Sequence, residues 1–508
     1  MNKEEAPLYE ALLEYKRVKR TSFHVPGHKN GQAYASSGGA GILSQMMEID
    51  VTEIIGTDDL HHPEGVILEA QQLAANCFGA EESFFLIGGS TVGNLALILT
   101  VCSAPGELLL VQRNVHKSVL HGLMLAGAQA VFLQPQVDPI SGLATAPTAD
   151  QITTALEKYP HAKGVLVTMP NYYGMGTDMA SLVEVCHRYD VPLLVDEAHG
   201  AHYGQHPSLP ASALSCGADG LVQSTHKMLS ALTMGAMLHV QGPRLDRTLL
   251  RQRLAMVQSS SPSYPMMASL DLARRLLHTG GAAIFTAGLA AVDAFKRGLA
   301  ELPRFGLLQP QQPVGFAAAY TSQDPFKAVI YDDTGTLSGY ELQRLLEAQG
   351  CIPEMSDERY VVLLFSLGST MEDANHLLRA LQHISVIGVD AHSEENTSAM
   401  KNAVEFSTWN ILRNSVSTPV SFNMKPVSSE QVESIPLEQC GGRVAAEMII
   451  PYPPGIPLLY MGESISKDTQ ERLLVLSQAG AKCHAAADPE LHSIMVFKKD
   501  RKQEMHEC

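Results

Sequence analysis

The chain is poor in the features that mark secreted, metal-clustered or nucleic-acid-binding proteins. Its eight cysteines, at 77, 102, 186, 216, 351, 440, 483 and 508, form no CxxC pair, so their spacing indicates neither a zinc site nor a disulfide framework. Lys and Arg number 36 against 53 Asp and Glu, a formal net charge of -17. That balance argues against extended contact with nucleic acid or an anionic membrane, which relies on clustered cations, and is easier to reconcile with cationic substrates. No apolar stretch reaches the roughly 18 residues of a membrane span. Met1 to Glu5 lacks the basic and apolar regions of a signal peptide, and there is no internal repeat or low-complexity tract. These absences predict a cytoplasmic protein, divided into several domains because 508 residues exceed one typical domain.

What is present is an alternation of strand-like and helical patterns. A short amphipathic helix around Leu8 to Lys19 and turns at Pro26-Gly27 and Asn30-Gly31 predict an N-terminal arm over 1–30. Strands are expected at Glu82 to Ile87, Glu107 to Gln112, Ala130 to Leu133 and Gly164 to Met169, with helices at Val92 to Val101, His116 to Ala126 and Leu182 to Tyr189. That alternation reads as an α/β fold with a doubly wound, mainly parallel sheet, occupying 31–295. A helical pattern from Ala268 to Leu302, broken at Gly280-Gly281, leads to a small α/β domain over 296–390. There Ser338 begins a helix to Gln349, between strands at Ala328 to Tyr331 and Tyr360 to Ser366. The polar stretch around His392 to Asn396 marks the start of a C-terminal domain over 391–508.

Two blocks carry the chemistry. Asp196-Glu197-Ala198-His199-Gly200 follows the apolar run Val191 to Val195, and Ser224-Thr225-His226-Lys227 follows Gly220 to Gln223. Both blocks can therefore end at one rim of a parallel sheet, where α/β proteins place their sites. A lysine and an aspartate delivered there are what pyridoxal 5'-phosphate requires: an amine for a Schiff base and a carboxylate for the pyridine nitrogen. Gly88-Gly89-Ser90-Thr91, between a strand and a helix, offers backbone N–H groups and the Ser90 and Thr91 hydroxyls to a phosphate. Ala198 is small enough to lie against the ring, His199 can line the pocket, and Ser224 and His226 offer donors to the phosphate or ring substituents. His116, at a helix start after the second strand, can lie over the ring and pass a proton to Cα. The pairs His61-His62 and His24/His28 lack an accompanying Cys or carboxylate cluster, so no metal is expected.

Further motifs give the chain a family likeness. Pro26-Gly27-His28-Lys29, Asp58-Asp59-Leu60-His61-His62-Pro63, Gly88 to Thr91, Arg113 to Ser118, Asp196 to Gly200, Ser224 to Lys227, Gln258 to Pro262 and Pro451-Tyr452-Pro453-Pro454-Gly455 are the carriers. With them the sequence resembles the bacterial Orn/Lys/Arg decarboxylases of the fold type I pyridoxal phosphate enzymes, in a short Bacillus-type branch. It differs from the longer inducible members in starting almost directly with the arm, and carries Gly89 where many members have a hydroxyl residue. The resemblance implies that Lys227 bears the cofactor, Asp196 pairs with its ring nitrogen, and His116 stacks on it. It further implies that Ser90, Thr91, Ser224 and His226 bind phosphate, and that Ser259 to Ser261 reach the neighbouring subunit's phosphate in a homodimer with a shared active site. The implied reaction is α-decarboxylation of lysine, arginine or ornithine, feeding polyamine biosynthesis. Glu447, just before the Pro-Tyr-Pro-Pro loop, is the candidate partner for the substrate's distal cation. Other expectations are a different fold type I reaction (desulfurase, lyase or acyl-CoA condensation) or a cofactor-free regulator of polyamine metabolism.

Overall fold

The computed structural model describes residues 2–34, 41–310, 318–386, 416–451, 457–478 and 482–498. Helix α1 (Pro7–Val18), with proline in its first turn, is followed by α2 (Gly41–Met47) and α3 (Val66–Phe78). The alternating part runs β1 (Glu82–Leu86), α4 (Gly89–Val101), β2 (Leu108–Gln112), α5 (Lys117–Ala126), β3 (Gln129–Leu133), α6 (Ala149–Lys158), β4 (Val165–Thr168), β5 (Met175–Gly176), α7 (Met179–Arg188), β6 (Leu193–Asp196), β7 (Gly220–Gln223), α8 (Thr225–Met228), β8 (Ala236–Val240) and α9 (Arg247–Val257). Every residue of β2, β6 and β7 is buried, as expected for parallel strands covered by helices on both faces.

The main sheet has eight strands in the order β1-β8-β7-β6-β4-β2-β3, closed at its far edge by β14 (Val420–Ser421). Strands β3, β2, β4, β6 and β7 are parallel, whereas β8 is antiparallel to both of its neighbours. Strand β1 therefore runs with the central strands, and all their C-terminal ends share one rim. The sheet is mixed at its two edges rather than parallel throughout.

Helices α10 (Tyr264–Gly280) and α11 (Thr286–Leu299) meet at a 3-10 turn over Gly281–Phe285, where the glycine pair predicted a break. The Tyr264–Leu299 stretch is, by length and composition, long and apolar enough to cross a membrane, which corrects the sequence reading that none is. Here it is interrupted by that turn and carries the fully buried ion pair Arg274–Asp271. The small domain holds β9 (Phe305–Leu307), β10 (Ser322–Gln323), β11 (Lys327–Asp332), α12 (Gly339–Ala348), β12 (Met355–Ser356), β13 (Val361–Leu364) and α13 (Met371–Val386), with an antiparallel sheet ordered β12-β13-β11-β9. Ser338 caps α12 in a capping box with Glu341. Beyond β14, the segments β15 (Val432–Pro436), β16 (Ile450–Pro451), α14 (Lys467–Gln478), β17 (Cys483–His484) and β18 (Ser493–Phe497) surround a separate core that includes Leu437, Ile449 and Leu473.

Helix α1 packs on the large domain: Leu8 and Leu12 are buried in one cluster with Phe85 and Tyr264, and the Leu8 N–H donates to Asp271 Oδ2 at 3.1 Å. Strand β14 lies past residue 391, yet it pairs with β3 in the main sheet.

Candidate active site

The rim of the main sheet gathers the chemistry. Gly89 opens α4 with φ +72°, a backbone conformation that disfavours side chains, which accounts for glycine where a hydroxyl residue was the family expectation. Helix α4 packs closely on the sheet because Gly93 has no Cβ; one would lie 2.5 Å from Val222 Cγ1 and 2.8 Å from Leu86 Cδ1. The α4 N-terminus, with Ser90 in its first turn, is thereby held beside the end of β7, where Ser224 Oγ donates to Ser90 Oγ at 3.0 Å.

Residues Ser90, His116, Thr168, Pro170, Tyr172, Asp196, Ala198, His199 and Lys227 line one pocket at this rim. Asp196, at the end of β6, is 3% exposed; its Oδ2 accepts from Asn94 Nδ2 at 2.8 Å and its Oδ1 from the Ala198 N–H at 3.1 Å. His116 is the N-cap of α5, and its Nδ1 accepts from the Ser118 N–H at 3.2 Å, so its ring proton belongs on Nε2. Burial pushes the His116 imidazole below its usual value, with Asp196 opposing the shift.

Lys227 Nζ lies 3.0 Å from His199 Nε2, and His199 Nδ1 lies 3.0 Å from Nζ of a second lysine, Lys327. Burial lowers the Lys227 amine from its ordinary value, while Asp196 and Glu354 pull it back up. Burial and the two lysines hold the His199 imidazole well below its usual range.

Six of the expected site residues, Ser90, His116, Asp196, Ala198, His199 and Lys227, thus share the pocket. Ser224 stands directly behind Ser90. Thr91 is an exposed residue of the first turn of α4, and His226 turns its ring to the Gly235 carbonyl, 3.1 Å from Nδ1. Neither lines the pocket of this chain. Ser259 to Ser261 form an exposed loop outside the pocket, with the Ser259 carbonyl 2.8 Å from His61 Nε2. Residues 452–455 of the Pro-Tyr-Pro-Pro-Gly motif fall outside the described residues.

Glu447 requires correction. Its two carboxylate oxygens accept the backbone N–H groups of Met495 and Ala487, tying together the C-terminal domain, and it is absent from the pocket. Held by these backbone groups and away from the pocket lining, the Glu447 carboxylate does not face the site.

Sequence reading missed Asn94, Thr168, Tyr172 and Lys327. Asn94 was accessible, because it stands one helical turn after Ser90 on the same face of α4. Lys327 was hidden by the expectation of a strand beginning at Ala328, whereas β11 starts at the lysine itself.

The pocket suits pyridoxal phosphate on the chemistry of its donors. A buried amine and a buried carboxylate share one wall region, a helix N-terminus with hydroxyls offers an anion site, and Thr168 Oγ1 is buried beside them with no partner among the described residues.

Comparison with known proteins agrees with this geometry. A family model described as "Orn/Lys/Arg decarboxylase, major domain" matches residues 6–373, and one described as "Orn/Lys/Arg decarboxylase, C-terminal domain" matches 404–505. YaaO of Bacillus subtilis (strain 168), an uncharacterized protein, is 41% identical over 469 residues, covering 92% of this chain and 93% of its own length. An arginine decarboxylase of Bacillus anthracis is 33% identical over 97% of this chain and 98% of its own. The crystal structure of a Francisella novicida lysine decarboxylase superposes with TM-score 0.81 at 20% identity, covering 97% of this chain and 81% of that one, and so supports the fold. The chain belongs to the Orn/Lys/Arg decarboxylase family of pyridoxal phosphate-dependent carboxy-lyases that act on basic amino acids.

Proposed function

We propose that this protein is an α-decarboxylase whose preferred substrate is arginine, with Lys227 as the cofactor-bearing amine, Asp196 as the ring-nitrogen partner and His116 as the residue over the ring. The observation that carries the site assignment is the joint placement of Lys227, Asp196, His116 and Ser90 around one pocket. The preference for arginine is supported by three Bacillus relatives named arginine decarboxylase, 33 to 34% identical over at least 91% of this chain.

Bound pyridoxal phosphate supplies an electrophilic carbon for the substrate amine and a protonated ring that takes up the electron pair left by the departing carboxylate. The chain's residues hold that chemistry in place. Asp196, oriented by Asn94, would accept the ring N–H and keep that proton on the nitrogen. Ser90, the α4 N-terminus and Ser224 beside it would hold the phosphate. Ala198 would leave room for the ring and His116 would lie over it, and Lys227 Nζ or His116 Nε2, both at this pocket, would deliver the proton to Cα.

With Glu447 engaged elsewhere, Glu354 is the better candidate for the substrate's distal cation. It is exposed just before β12, within electrostatic reach of Lys227, Lys327 and His226, and favours their charged forms. A desulfurase is less well supported: burial raises the Cys351 thiol, the first cysteine after Lys227, which disfavours the thiolate nucleophile. We further place the enzyme in a cytoplasmic homodimer in which Ser259 to Ser261 complete the neighbour's phosphate site. Loss of specific activity on dilution, followed with sedimentation, tests that arrangement.

The deciding experiment is product chromatography after incubating the pyridoxal phosphate-loaded protein with L-arginine, L-lysine and L-ornithine separately. Arginine should yield its amine and CO2 fastest. Turnover of lysine or ornithine alone would overturn the substrate, and no amine from any of the three would overturn the reaction.

A further inference from the structure

A second lysine stands behind the first. Lys327 is 1% exposed; its Nζ donates to the Tyr172 carbonyl at 2.7 Å and lies 3.0 Å from His199 Nδ1, while the other ring nitrogen, Nε2, lies 3.0 Å from Lys227 Nζ. One imidazole thus bridges two amines through both of its nitrogens.

A neutral imidazole has one N–H and one lone pair, whereas an ammonium can only donate. Burial between two lysines keeps His199 neutral, so the two amines cannot both be ammonium ions in this geometry. One of them accepts the ring proton and carries a lone pair. Lys327 is the better placed to hold the charge. Its Nζ donates to the Tyr172 carbonyl while also facing His199 Nδ1, as an ammonium can, and Asp324, three residues earlier, favours the charged form against the burial that lowers it. Asp324 is itself buried and held by His202 at 3.1 Å, so its charge is fixed close to Lys327. With Lys327 as donor to Nδ1, the ring proton resides on Nε2 and faces Lys227 Nζ.

We propose that Lys327 is a positioning residue for the reaction: its ammonium fixes His199 in the Nε2–H form, and that proton holds the Lys227 amine neutral and ready to attack a carbonyl carbon. The inference rests on Lys227 being the cofactor-bearing amine. The charged and titratable groups around the chain of contacts are Asp196 and Glu354 beside Lys227, His116 and His226 beside His199, and Asp324 and Glu354 beside Lys327. The carboxylates favour charge on both lysines. Burial disfavours charge on Lys227, and in this proposal the Lys327 cation, relayed by the ring, adds to that, so removing the cation has a predictable sign.

The test uses the full chain freed of cofactor and mixed with pyridoxal phosphate over a pH series. The rate at which the visible absorbance of the bound cofactor appears follows the neutral fraction of the receiving amine, and its pH midpoint reports that amine. Lys327→Met should move the midpoint up by about one pH unit, slowing combination near neutral pH about tenfold, because a like charge within a few ångströms has been removed. Lys327→Arg, which keeps the charge, should retain the parent midpoint. Should the methionine variant fold poorly, Lys327→Gln tests the same loss of charge with a side chain that can still donate to the Tyr172 carbonyl. A midpoint equal to the parent's in either soluble variant overturns the proposal. The underlying reading fails separately: if Lys227→Ala combines with pyridoxal phosphate as fast as the parent does, Lys227 is not the receiving amine.

Discussion

Asn94 donates through its side-chain nitrogen to Asp196 Oδ2 at 2.8 Å, and the same nitrogen reaches Ser118 Oγ at 3.0 Å. Ser118 Oγ lies in turn 2.9 Å from His116 Nδ1. One buried amide therefore links the carboxylate proposed to face the cofactor ring nitrogen with the imidazole proposed to lie over the ring. Its removal should disturb two catalytic groups at once. Asn94→Ala is expected to bind pyridoxal phosphate but to lose roughly 10- to 100-fold in kcat, matching about 1.5 to 3 kcal/mol for a hydrogen bond to a charged group. Steady-state kinetics at saturating cofactor check this, and an unchanged kcat would show that Asp196 holds its position without the amide.

Lys227→Ala is expected to abolish turnover while leaving the melting temperature near that of the parent, because the change only opens space at a pocket wall. In the parent, borohydride should fix the cofactor covalently, and peptide mapping should find the reduced pyridoxyl group on Lys227. Its recovery on Lys327 would reverse the roles of the two amines.

Glu354 and Glu447 should separate cleanly as partners for the distal cation. Glu354→Gln should raise KM for the basic amino acid about two- to fivefold, the scale of a solvent-accessible ion pair. Glu447→Gln should leave KM unchanged and lower the thermal stability of the C-terminal domain, since both of its oxygens accept backbone N–H groups there. Parallel kinetics and calorimetry on the two variants distinguish these outcomes.

Gly93→Ala places a methyl group 2.5 Å from Val222 Cγ1 and 2.8 Å from Leu86 Cδ1, contacts that force α4 off the sheet. The expected loss is about 1 to 3 kcal/mol, typical of overpacking a filled core. Because α4 also carries Ser90, cofactor affinity should weaken along with the melting temperature. A variant as stable as the parent would mean that the helix can move without cost.

Glu197 gives the fold a dependence on pH. It is fully buried, accepting from the Ala213 N–H and Gln223 Nε2 at 2.7 Å each, and burial raises its pKa from 4.5 to about 8. A carboxyl group kept neutral in the fold but ionised in the unfolded chain contributes stability that is complete below about pH 4.5 and lost progressively as the pH rises to about 8. Glu197→Gln should flatten that part of the stability curve, which denaturant titrations from pH 5 to 9 can measure. An unchanged slope would assign the dependence to other groups.

Strand β7 and the break at Gly280-Gly281 were readable from the sequence because local signals decide them: a short apolar run in one case and a glycine pair in the other. Helix α6 was not foreseen, although Thr148 and Gln151 form a capping box at its start and Ile152, Ala155 and Leu156 give it a buried stripe; its largely polar composition masked that pattern. The Asp196 and Lys227 blocks were legible because each directly ends an apolar strand. Lys327 was not, since it meets His199 from the small domain, and no spacing along the chain encodes that approach. Glu447 was misplaced for the same reason: proximity to a motif in sequence said nothing about which backbone its carboxylate would meet.

Ser421 pairs with Gln129, 292 positions earlier in the chain, so the β3 edge of the main sheet stays open until nearly all of the protein has been synthesised. During translation that edge is a row of unpaired backbone groups on a hydrophobic sheet, a template for any neighbouring strand. The segment carrying Val420 and Ser421 must leave the ribosome before the catalytic sheet is sealed. Chains stalled or cleaved shortly before residue 420 would therefore be aggregation-prone even though every proposed catalytic side chain had already been made.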